Sequence, residues 1–599
     1  MYVAVVQMDP LLGALRENAE HALACIEELA ARPYPPDLVI FPAFALCGAP
    51  LEGLAHSTAF AAEALTVSRD FMARAPLPTL IGSVLPRPYA GPSESMTFVC
   101  EPEVLFCHDG RGGALGFVDF MDTWEGGAYG GSINLVIEGL TVAVFVDGYP
   151  EMGEDLSNVD LIVMLLAKSY RGPDESFTSS TQIKVLRNLA RRANAYLVVA
   201  NLAGAQDGEV FDGASLILDP FGTVLATAEP FIEQIIEGNC LPSSLAAPAA
   251  HPLIVRPMLP SEADWRALKA ALGAFVEKNA LNGVLLEVKG DLASSLLLDL
   301  SVQTLGAKRV RALLLPGPNR DTEALAAAAA FAQALDVRLQ SLDMSALLQS
   351  FPHRAGSSHS DGPSSGRPAH VAEPSAPDER PNLAEPSAPD ERPLSAAKAR
   401  LMERLRGTCL LDEAEAHNRL LLSSVDKTAL ALGMATSFGD VAAPFAPFAT
   451  LYRSDIHRLI EWRIDQKVEA WRTLFAVMKD EDELRALARI DRILHLHIEE
   501  GMGIDQIREH VSNDPGDTAP NSAFVAKLLE SVRQAELGRR QTPISPFLGP
   551  NDLYLDRAWP VTNGFVDHAE SAAAGDELFE YLGLLQGRHR PDDWTFMSN

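Results

Sequence analysis

The sequence predicts an α/β protein made of two layered domains, with a helical part at its C-terminal end. Short apolar runs alternate with amphipathic segments over about residues 1–245, a second alternation starts at Trp265, and the chain beyond about residue 395 has mostly helical spacing. Strands and helices mixed on this scale pack as layers around a core. We therefore predict a first domain at 1–245, a linker at 246–264 and a second domain at 265–599.

The first domain begins with a strand-like run, Tyr2–Met8, and continues with a helical stretch from about Glu17 to Ala31. Between two later strands, residues 181–195 carry apolar side chains at helical spacing and basic ones opposite, which predicts an amphipathic helix. The remaining strand-like runs are apolar and often β-branched. They are Asp37–Phe44, Thr79–Leu85, Thr97–Cys107, Ile133–Ile137, Leu140–Val146, Asp160–Ala167, Tyr196–Leu202 and Ser215–Leu218.

The second domain has a βαβ progression. A helix at 265–280 leads to the apolar strand Gly283–Val288, and the helix-like Ala293–Thr304 follows it. Arg309–Leu315 reads as the next strand, and an alanine-rich helix then runs to about Leu335. Alternation of this kind is typical of a parallel sheet that binds a nucleotide at its edge.

Residues 355–393 differ from both domains in composition. The decapeptide AEPSAPDERP occurs twice, at 372–381 and again at 384–393, in a segment rich in Pro, Ser, Gly and charge. Such a composition cannot bury enough apolar surface to form a core. We predict a disordered surface insert that serves as a linker, with a docking site for a partner as the alternative.

The chain has 599 residues and a formal net charge of −31. Nucleic acids and anionic membranes bind basic surfaces, so this charge argues against both as main partners. The apolar runs are too short to span a bilayer as helices, and the start MYVAVVQMDP has no secretory pattern. The six cysteines form no CxxC pair and no disulfide framework. We therefore expect an acidic cytoplasmic protein.

Three segments carry a recognisable pattern. Asn201–Ser215 reads NLAGAQDGEVFDGAS, Gly433–Asp440 reads GMATSFGD with FAP at 445–447, and RRQ at 539–541 precedes WPVTN at 559–563. In this order they resemble NLxGxQDxxxFDGxS, GYxTxYGD…FAP and the tail of the glutamine-dependent NAD+ synthetases. Three matches in the family's order are hard to attribute to chance. The resemblance covers nearly the whole chain apart from the proline-rich insert.

The resemblance implies two coupled sites. The first domain would be an αββα nitrilase-like sandwich that hydrolyses glutamine to ammonia through a Glu-Lys-Cys triad. The second would be a Rossmann-like ATP-pyrophosphatase domain that uses ATP and Mg²⁺ to adenylate nicotinic acid adenine dinucleotide, after which ammonia displaces AMP to give NAD+. Members of the family are typically homo-octamers with an internal ammonia tunnel, so a homo-oligomer is also implied.

The positions that match the family triad carry other residues. Ala43 stands where the family has its Glu, Asp147 where it has the nucleophilic Cys, and Asp109 where its Lys is expected. The first lysine of the chain is Lys168, so the preceding region cannot supply a triad lysine. A thioester mechanism needs a thiolate, a base and oxyanion stabilisation together. The glutaminase site is therefore predicted to be inactive.

Several replacements for the triad remain open. Arg111 could supply positive charge, although a guanidinium cannot relay a proton at neutral pH. Cys47 or Cys107 could act as a relocated nucleophile, although free cysteines are most often small buried hydrophobes. Asp147 could form an acyl anhydride, but it would lack both base and lysine.

The phosphate loop of the synthetase domain is altered as well. Residues 289–294, KGDLAS, align with the family's SGGxDS, which leaves Gly290 and Ser294 but puts Asp291 at a glycine position. The two family metal ligands align with Ala293 and Ala429, so no metal site is expected. Mg²⁺ is normally held by one or two carboxylates plus substrate phosphates. Charge neutralisation during adenylation would therefore be largely lost.

Some residues could still line a dinucleotide pocket. Lys289 could partly compensate as a fixed cation, or it could be a neutralised pair with Asp291. The vestigial nucleotide-binding set is predicted to be Lys289, Gly290, Asp291, Ser294, Arg400, Lys427, Thr436 and Asp440. The alternative is that these residues only maintain helix and loop geometry.

The sequence hypothesis is a pseudoenzyme with an assembly, scaffold or regulatory role, which binds a dinucleotide or an active NAD+ synthetase paralogue. The rival is a working ligase that uses ammonia or glutamine with ATP, Mg²⁺ and nicotinic acid adenine dinucleotide. A nitrilase-type amidase with relocated catalysis is the third reading. Residues 1–167 hold 6 Arg, no Lys and 22 Asp plus Glu, so the acidic excess is concentrated in the glutaminase-like part.

Overall fold

The structure is a computed structural model that describes most of the chain. It covers residues 1–90, 96–107, 116–117, 133–150, 156–242, 245–247, 253–315, 322–342, 344, 396–466, 468–478, 481–512, 520–549, 551, 553, 556–558 and 560–561. The predicted insert 355–393 and the position of Asp109 lie outside these residues, so both remain predictions from the sequence.

The first domain consists of many strands and a few helices. Its elements are β1 Tyr2–Gln7, α1 Leu15–Ala30, β2 Leu38–Ile40, α2 Thr58–Arg74, β3 Thr79–Ala90, β4 Met96–Cys107, β5 Gly116–Phe117, β6 Ile133–Ile137, β7 Leu140–Val146, β8 Leu161–Leu166, α3 Ser180–Ala193, β9 Tyr196–Asn201, β10 Ala203–Gln206, β11 Glu209–Asp212, β12 Leu216–Leu218, β13 Val224–Thr227 and β14 Gln234–Asn239. The strand-like runs predicted from the sequence all contain a strand, and the helix predicted at 181–195 corresponds to α3.

Two sheets form the centre of this domain. One has the order β14-β1-β2-β3-β4-β5 and the other β13-β12-β9-β8-β7-β6. Their facing sides share a buried core that includes Val5 and Ile40 from one sheet and Val144 and Val163 from the other. Helices α1 and α2 pack on the outer side of the first sheet, and α3 packs on the outer side of the second. The αββα prediction is therefore confirmed.

Two features of the first domain differ from the sequence prediction. The run Asp37–Phe44 forms only the short strand β2, because the backbone leaves the sheet at Phe41 and reaches a left-handed conformation at Phe44. Helix α2 was not predicted, although its buried side chains Phe60, Ala64, Val67 and Phe71 have helical spacing.

The second domain is built on a parallel sheet. Its elements up to the sheet's last strand are α4 Pro260–Lys278, β15 Val284–Glu287, α5 Leu292–Leu305, β16 Val310–Leu314, α6 Thr322–Ala334, β17 Leu339–Ser341, α7 Ala396–Glu415 and β18 Leu420–Leu422. The strand order is β17-β16-β15-β18, and every neighbouring pair is parallel. This is the Rossmann-like order that the βαβ pattern predicts.

Helices dominate the rest of the described chain. They are α8 Lys427–Ala431, α9 Arg453–Asp465, α10 Glu469–Met478, α11 Glu481–Ile498, α12 Ile504–Ser512, α13 Ser522–Gln534 and α14 Glu536–Arg539. The predicted helical C-terminal part is confirmed within the described residues. None of the described helices combines the length and apolarity needed to cross a membrane.

The two domains share buried contacts. Lys278, in the last turn of α4, donates from Nζ to Asp9 Oδ1 at 2.7 Å and to the Ala205 carbonyl at 2.9 Å. The Tyr170 hydroxyl of the first domain donates to Asp264 on α4 at 3.0 Å. One apolar cluster includes Tyr170 together with Trp265 of α4. Helix α4 therefore connects the cores of the two domains.

Candidate functional site

The first candidate site lies where β2 and β7 end in the facing sheets of the first domain. Ala43 follows β2 and is fully buried in the core between the sheets. Gly82 packs against the backbone of this residue, since a Cβ added at Gly82 would be 2.4 Å from the Ala43 Cα. The side chain of Ala43 is a methyl group without a titratable proton. Position 43 therefore offers no acid or base to this site.

Asp147 follows β7 directly and has a left-handed backbone, with φ of 49°. Its amide donates to the Leu165 carbonyl at 2.8 Å, and its Oδ1 accepts from the Ala167 amide at 3.2 Å. Burial raises the pKa of this carboxyl, and the Ala167 amide offsets the effect in part. The residue at the nucleophile position is thus a carboxyl group whose charged form is disfavoured.

Asp147 faces a cavity of about 330 Å³. The described side chains around it are apolar except for a few polar groups. They are Phe44, Ala49, Pro50, Leu51, Glu52, Ala55, Cys100, Asp147, Ala167, Ser169, Glu209 and Phe211. The sequence reasoning missed Cys100 and Glu209. Glu209 lies inside the NLxGxQDxxxFDGxS segment, and its place in that segment is the sequence signal that could have marked it as a site residue.

The cysteines near this cavity are poor nucleophiles. Cys47 is fully buried, and burial raises the pKa of its thiol. Cys100 lines the cavity, and burial raises the pKa of its thiol as well. A nucleophilic cysteine needs a lowered pKa and a cationic or helix-terminal environment. The Cys107 side chain and Arg111 lie outside the described residues, so their suggested roles stay untested.

The NLxGxQDxxxFDGxS segment forms a buried polar network beside the cavity. The Asn201 side-chain amide donates to the Gly213 carbonyl at 3.1 Å and to Asp212 Oδ1 at 3.4 Å. Asn201 Oδ1 accepts from the Lys168 amide at 2.8 Å. Burial raises the pKa of Asp212 to about 6, although Ser176 and Lys168 act in the opposite direction. These residues hold the β9–β12 region together.

We expect the raised pKa of Asp212 to make stability depend on pH. The unfolded chain loses this proton near pH 4 and the folded chain near pH 6, so folding stability falls as pH rises through this window. Asp212→Asn should remove this pH-dependent loss of stability, which is on the order of 3 kcal/mol between the two ends of the window. Urea unfolding of both proteins between pH 4 and pH 8 checks this. Equal pH dependence in the variant would contradict the assignment, and Asp207→Asn at the exposed neighbour serves as the control.

The second candidate site lies at the edge of the parallel sheet between β15 and β18. The chain moves from β15 outward through β16 and β17 and then returns to the other side of β15 as β18. Open α/β sheets bind ligands at such a switch point, at the carboxyl ends of the strands. Here the described residues enclose a cavity of only about 30 Å³. They come from the ends of β15 and β18, from α7 and from 439–443.

Two ion pairs occupy this cleft. Lys289 Nζ lies 2.6 Å from Asp440 Oδ1. Burial alone would lower the pKa of Lys289, but the Asp440 and Asp291 carboxylates outweigh it and raise the pKa. Arg406 of α7 pairs with Glu287 at the end of β15, and both side chains are buried. The cations at the bottom of the cleft are therefore already neutralised by carboxylates of the chain itself.

The N-terminus of α5 is capped by Asp291. Its Oδ1 accepts from the Ser294 amide at 2.7 Å, which satisfies a donor that a bound phosphate would otherwise use. Gly290 has φ of 79°, and an added Cβ would lie 2.9 Å from the Leu325 side chain of α6. The retained glycine thus has a structural reason that is independent of phosphate binding.

Lys427 is directed into the protein core. Its Nζ pairs with Glu499, which directly follows α11, donates to the Asn551 carbonyl at 2.7 Å and lies 5.0 Å from the centre of the Tyr452 ring. Both Lys427 and Glu499 are almost fully buried. The structure therefore does not bring Lys427 together with Lys289 and Asp440 in the cleft.

The aligned metal positions offer no metal ligands. Ala429 packs in an apolar cluster, and the neighbouring carboxylate, Asp426, caps α8 and binds Arg453 Nε at 2.8 Å. Among the described residues there is no group of His, Cys, Asp and Glu side chains arranged to hold a metal ion. The residues present do not fit Mg²⁺ at the family's positions, where methyl groups stand at 293 and 429.

The remaining predicted residues lie around the cleft. The Thr436 amide donates to Asp440 Oδ2 at 3.1 Å, so Thr436 acts through its backbone. Ser294 Oγ accepts from the Lys289 amide at 3.0 Å. Arg400 is exposed on α7, one turn before Glu403. The sequence reasoning missed Arg406, which a helical projection of α7 places on the same side as the other lining residues.

Comparison with known proteins supports the same assignment. A family model described as NAD synthase matches residues 264–364 and 383–526. The glutamine-dependent NAD(+) synthetase of Xylella fastidiosa (strain Temecula1) is 25% identical over 591 residues, which cover 94% of this chain and 98% of that protein.

Two solved structures share the fold. A glutamine-dependent NAD(+) synthetase from Cytophaga hutchinsonii has a TM-score of 0.68 at 14% identity and covers 96% of this chain and 99% of its own. The one from Acinetobacter baumannii, solved with ADP, has a TM-score of 0.60 at 20% identity, with 95% and 99% covered. The resemblance to the glutamine-dependent NAD+ synthetases found in the sequence is thereby confirmed over nearly the whole chain.

Proposed function

We propose that this chain is a non-catalytic member of its family, with an assembly, scaffold or regulatory role in place of NAD+ synthesis. The observation that carries the proposal is the capped N-terminus of α5. The Asp291 carboxylate accepts from the Ser294 amide there, so a phosphate would have to displace the cap and approach a like charge. The altered loop thus favours the unliganded arrangement.

The size and charge of the cleft support the same proposal. A cavity of about 30 Å³ holds roughly one water molecule, whereas pockets for small organic ligands enclose about 300–1,000 Å³. Opening the cleft for a nucleotide would separate Lys289 from Asp440 and Arg406 from Glu287. Breaking buried ion pairs is costly, because it leaves charges without partners in a poorly solvated place.

The first domain supports the loss of glutamine hydrolysis. A methyl group at Ala43 and a carboxyl at Asp147 replace the base and the nucleophile that the family resemblance implies. Neither Cys47 nor Cys100 has the lowered pKa of a reactive thiol. Among the residues that the structure describes around this cavity there is neither a reactive thiol nor a base beside one, so a small molecule could enter the cavity but these residues could not form a thioester with it.

One observation favours the rival reading, an active ligase that uses ammonia. Lys289 remains at the carboxyl end of β15, beside the retained Ser294. If its side chain moved from Asp440 to an ATP phosphate, it could replace part of the lost metal charge.

Under the main proposal, the partners of a non-catalytic chain would be an active NAD+ synthetase paralogue or further copies of the chain itself.

An activity assay separates the two readings. Purified full-length protein is incubated with ATP, Mg²⁺, nicotinic acid adenine dinucleotide and either glutamine or ammonium, and NAD+ is measured. We expect NAD+ to form at a rate on the order of 10³-fold or more below the rate of an active family member, because adenylation would proceed without the carboxylates that hold the metal. The Xylella fastidiosa relative under the same conditions is the positive control.

The outcomes are distinct. NAD+ formation from ammonium at a rate near that of the control would overturn the proposal and support the ligase. Dependence of that rate on Lys289→Met would then identify the compensating cation. Formation of NAD+ from glutamine would in addition require a working nucleophile in the first domain.

A further inference from the structure

The cavity beside Asp147 has the size of a ligand-binding pocket. Its volume of about 330 Å³ lies within the range for pockets that hold small organic molecules, which is about 300–1,000 Å³. The cleft of the second domain, at about 30 Å³, is far below that range. The cavity of the first domain can therefore bind a molecule without reacting with it, and the side chains around the space decide which kind.

The charged side chains that line this cavity within the described residues are all carboxylates. They are Glu52, Asp147 and Glu209, and the described part of the lining contains no lysine, arginine or histidine. A concave site lined by charges of one sign concentrates ligands of the opposite sign. The lining therefore attracts a cation and repels an anion.

Two basic residues lie near the cavity without being part of its lining. Lys168 Nζ donates to the Glu175 carbonyl. Arg171 donates to Glu209 Oε1 at 2.9 Å, and its guanidinium lies 4.9 Å from the centre of the Phe547 ring. Both cations are thus engaged by other groups of the chain, and only one oxygen of Glu209 is bound by Arg171.

The negative charge of the cavity is not fully balanced within the described residues. Glu209 Oε2 is buried and has no hydrogen-bond partner among them. Buried polar atoms are normally paired, so this oxygen marks a place for a further donor. In addition, burial and the neighbouring carboxylates, which include Asp147, raise the pKa of Tyr149, as a negative potential would.

The cavity also has apolar walls. Phe44, Leu51 and Phe211 line it, and Phe211 packs in a small buried cluster with Ala49. Apolar surface that is removed from water in such a place contributes about 25 cal/mol per Å². A metal ion gains nothing from these walls, and the described carboxylates form no group arranged to hold one. An organic cation, in contrast, can place its charge at the carboxylates and its body against the walls.

We propose that this cavity binds a small primary amine in its ammonium form, with an apolar body and without a carboxylate. The ammonium group binds Asp147, at the position where the family resemblance implies a thiol nucleophile. Glutamine carries a carboxylate of its own, which the acidic lining repels. The inference rests on the proposed loss of glutamine hydrolysis, because a working glutaminase would use the same space for glutamine.

Calorimetric titration of the full-length chain with three ligands of similar shape tests the charge preference. At neutral pH, benzylamine is a cation, benzyl alcohol is uncharged and benzoate is an anion. We expect benzylamine to bind about tenfold or more tightly than benzyl alcohol, because hydrogen bonds between an ammonium group and a carboxylate are the stronger ones. Benzoate should show no binding. Equal affinity for benzylamine and benzyl alcohol, or tighter binding of benzoate, would overturn the proposal.

Asp147→Asn tests whether the amine binds in this cavity. Asparagine keeps the shape of the side chain and tolerates the left-handed backbone at position 147, so the variant should fold. Its affinity for benzylamine should fall to that for benzyl alcohol, which itself should not change. Asp207→Asn is the matched control, since Asp207 is exposed and has the same φ of 49°. The control should keep the preference for benzylamine, and a preference that persists in Asp147→Asn as well would overturn the proposal.

Ammonia release from glutamine, measured on the same preparation, separates this inference from the proposed function. A preference for benzylamine without ammonia release supports both. Ammonia release by the wild-type chain would overturn the loss of glutamine hydrolysis and the inference that rests on it. Absence of both ammonia release and amine binding would overturn the amine site alone.

Discussion

Lys427→Met is expected to destabilise the protein by about 3–5 kcal/mol, because it leaves Glu499 buried without its cation. The Tyr452 hydroxyl, at 3.0 Å from Glu499, and the Asn551 side-chain amide, at 3.0 Å, would remain as donors but cannot neutralise the charge. Chemical denaturation followed by circular dichroism measures the loss.

Two further variants identify the cause. Arg400→Met alters an exposed residue of the same predicted nucleotide-binding set and should change stability by no more than about 0.5 kcal/mol. The double variant Lys427→Met with Glu499→Gln removes both charges and should recover a large part of the loss. If Lys427→Met were as mild as Arg400→Met, the buried pair would not be a structural element and a binding role for Lys427 would regain support.

Asp299→Leu is expected to have an effect of the same size on the second domain. The Asp299 carboxylate is fully buried on α5 and accepts from Arg463 Nε at 2.8 Å and from Trp471 Nε1 at 2.7 Å. Leucine leaves the Arg463 charge and the indole N–H without an acceptor, which should cost about 3–5 kcal/mol. Thermal and urea unfolding of the full-length protein check the prediction.

A double-mutant cycle separates this loss from a packing defect. Asp299→Leu with Arg463→Met replaces the pair by apolar side chains, and buried pairs replaced in this way are often close to neutral. The double variant should therefore be more stable than Asp299→Leu alone. A double variant that is as unstable as the sum of the two single variants would show that the ion pair is not the cause.

These two networks show what the chain retains. Methyl groups stand at Ala293 and Ala429, which align with the family's metal carboxylates, yet Asp299 on α5 and Lys427 on α8 have several buried partners each. The helices that follow both loops are thus still anchored in the fold. We therefore expect the fold to persist whether or not the proposed loss of catalysis holds.

Much of the fold could be predicted from residue periodicity. Val- and Ile-rich runs such as Leu140–Val146 form strands, and the apolar stripe of α3 predicts its helix, because local spacing decides which side of an element is buried. Helix α2 has helical spacing too, so the sequence carried its signal and the prediction missed it. The end of β2 could not be predicted in this way, because it depends on how the backbone after Phe41 packs against β3, which is a contact between distant parts of the chain.

The candidate sites show the same division. The sequence alone determined that methyl groups stand at Ala43 and Ala429, and a methyl cannot act as a base or a metal ligand in any fold. Only the tertiary structure decided where the remaining charges lie. Lys289 meets Asp440 in the cleft, whereas Lys427 meets Glu499 in the core, and both partners are far away in sequence. Ion pairs of this kind depend on how the helices pack against the sheet, and that packing leaves no trace in the local sequence around each lysine.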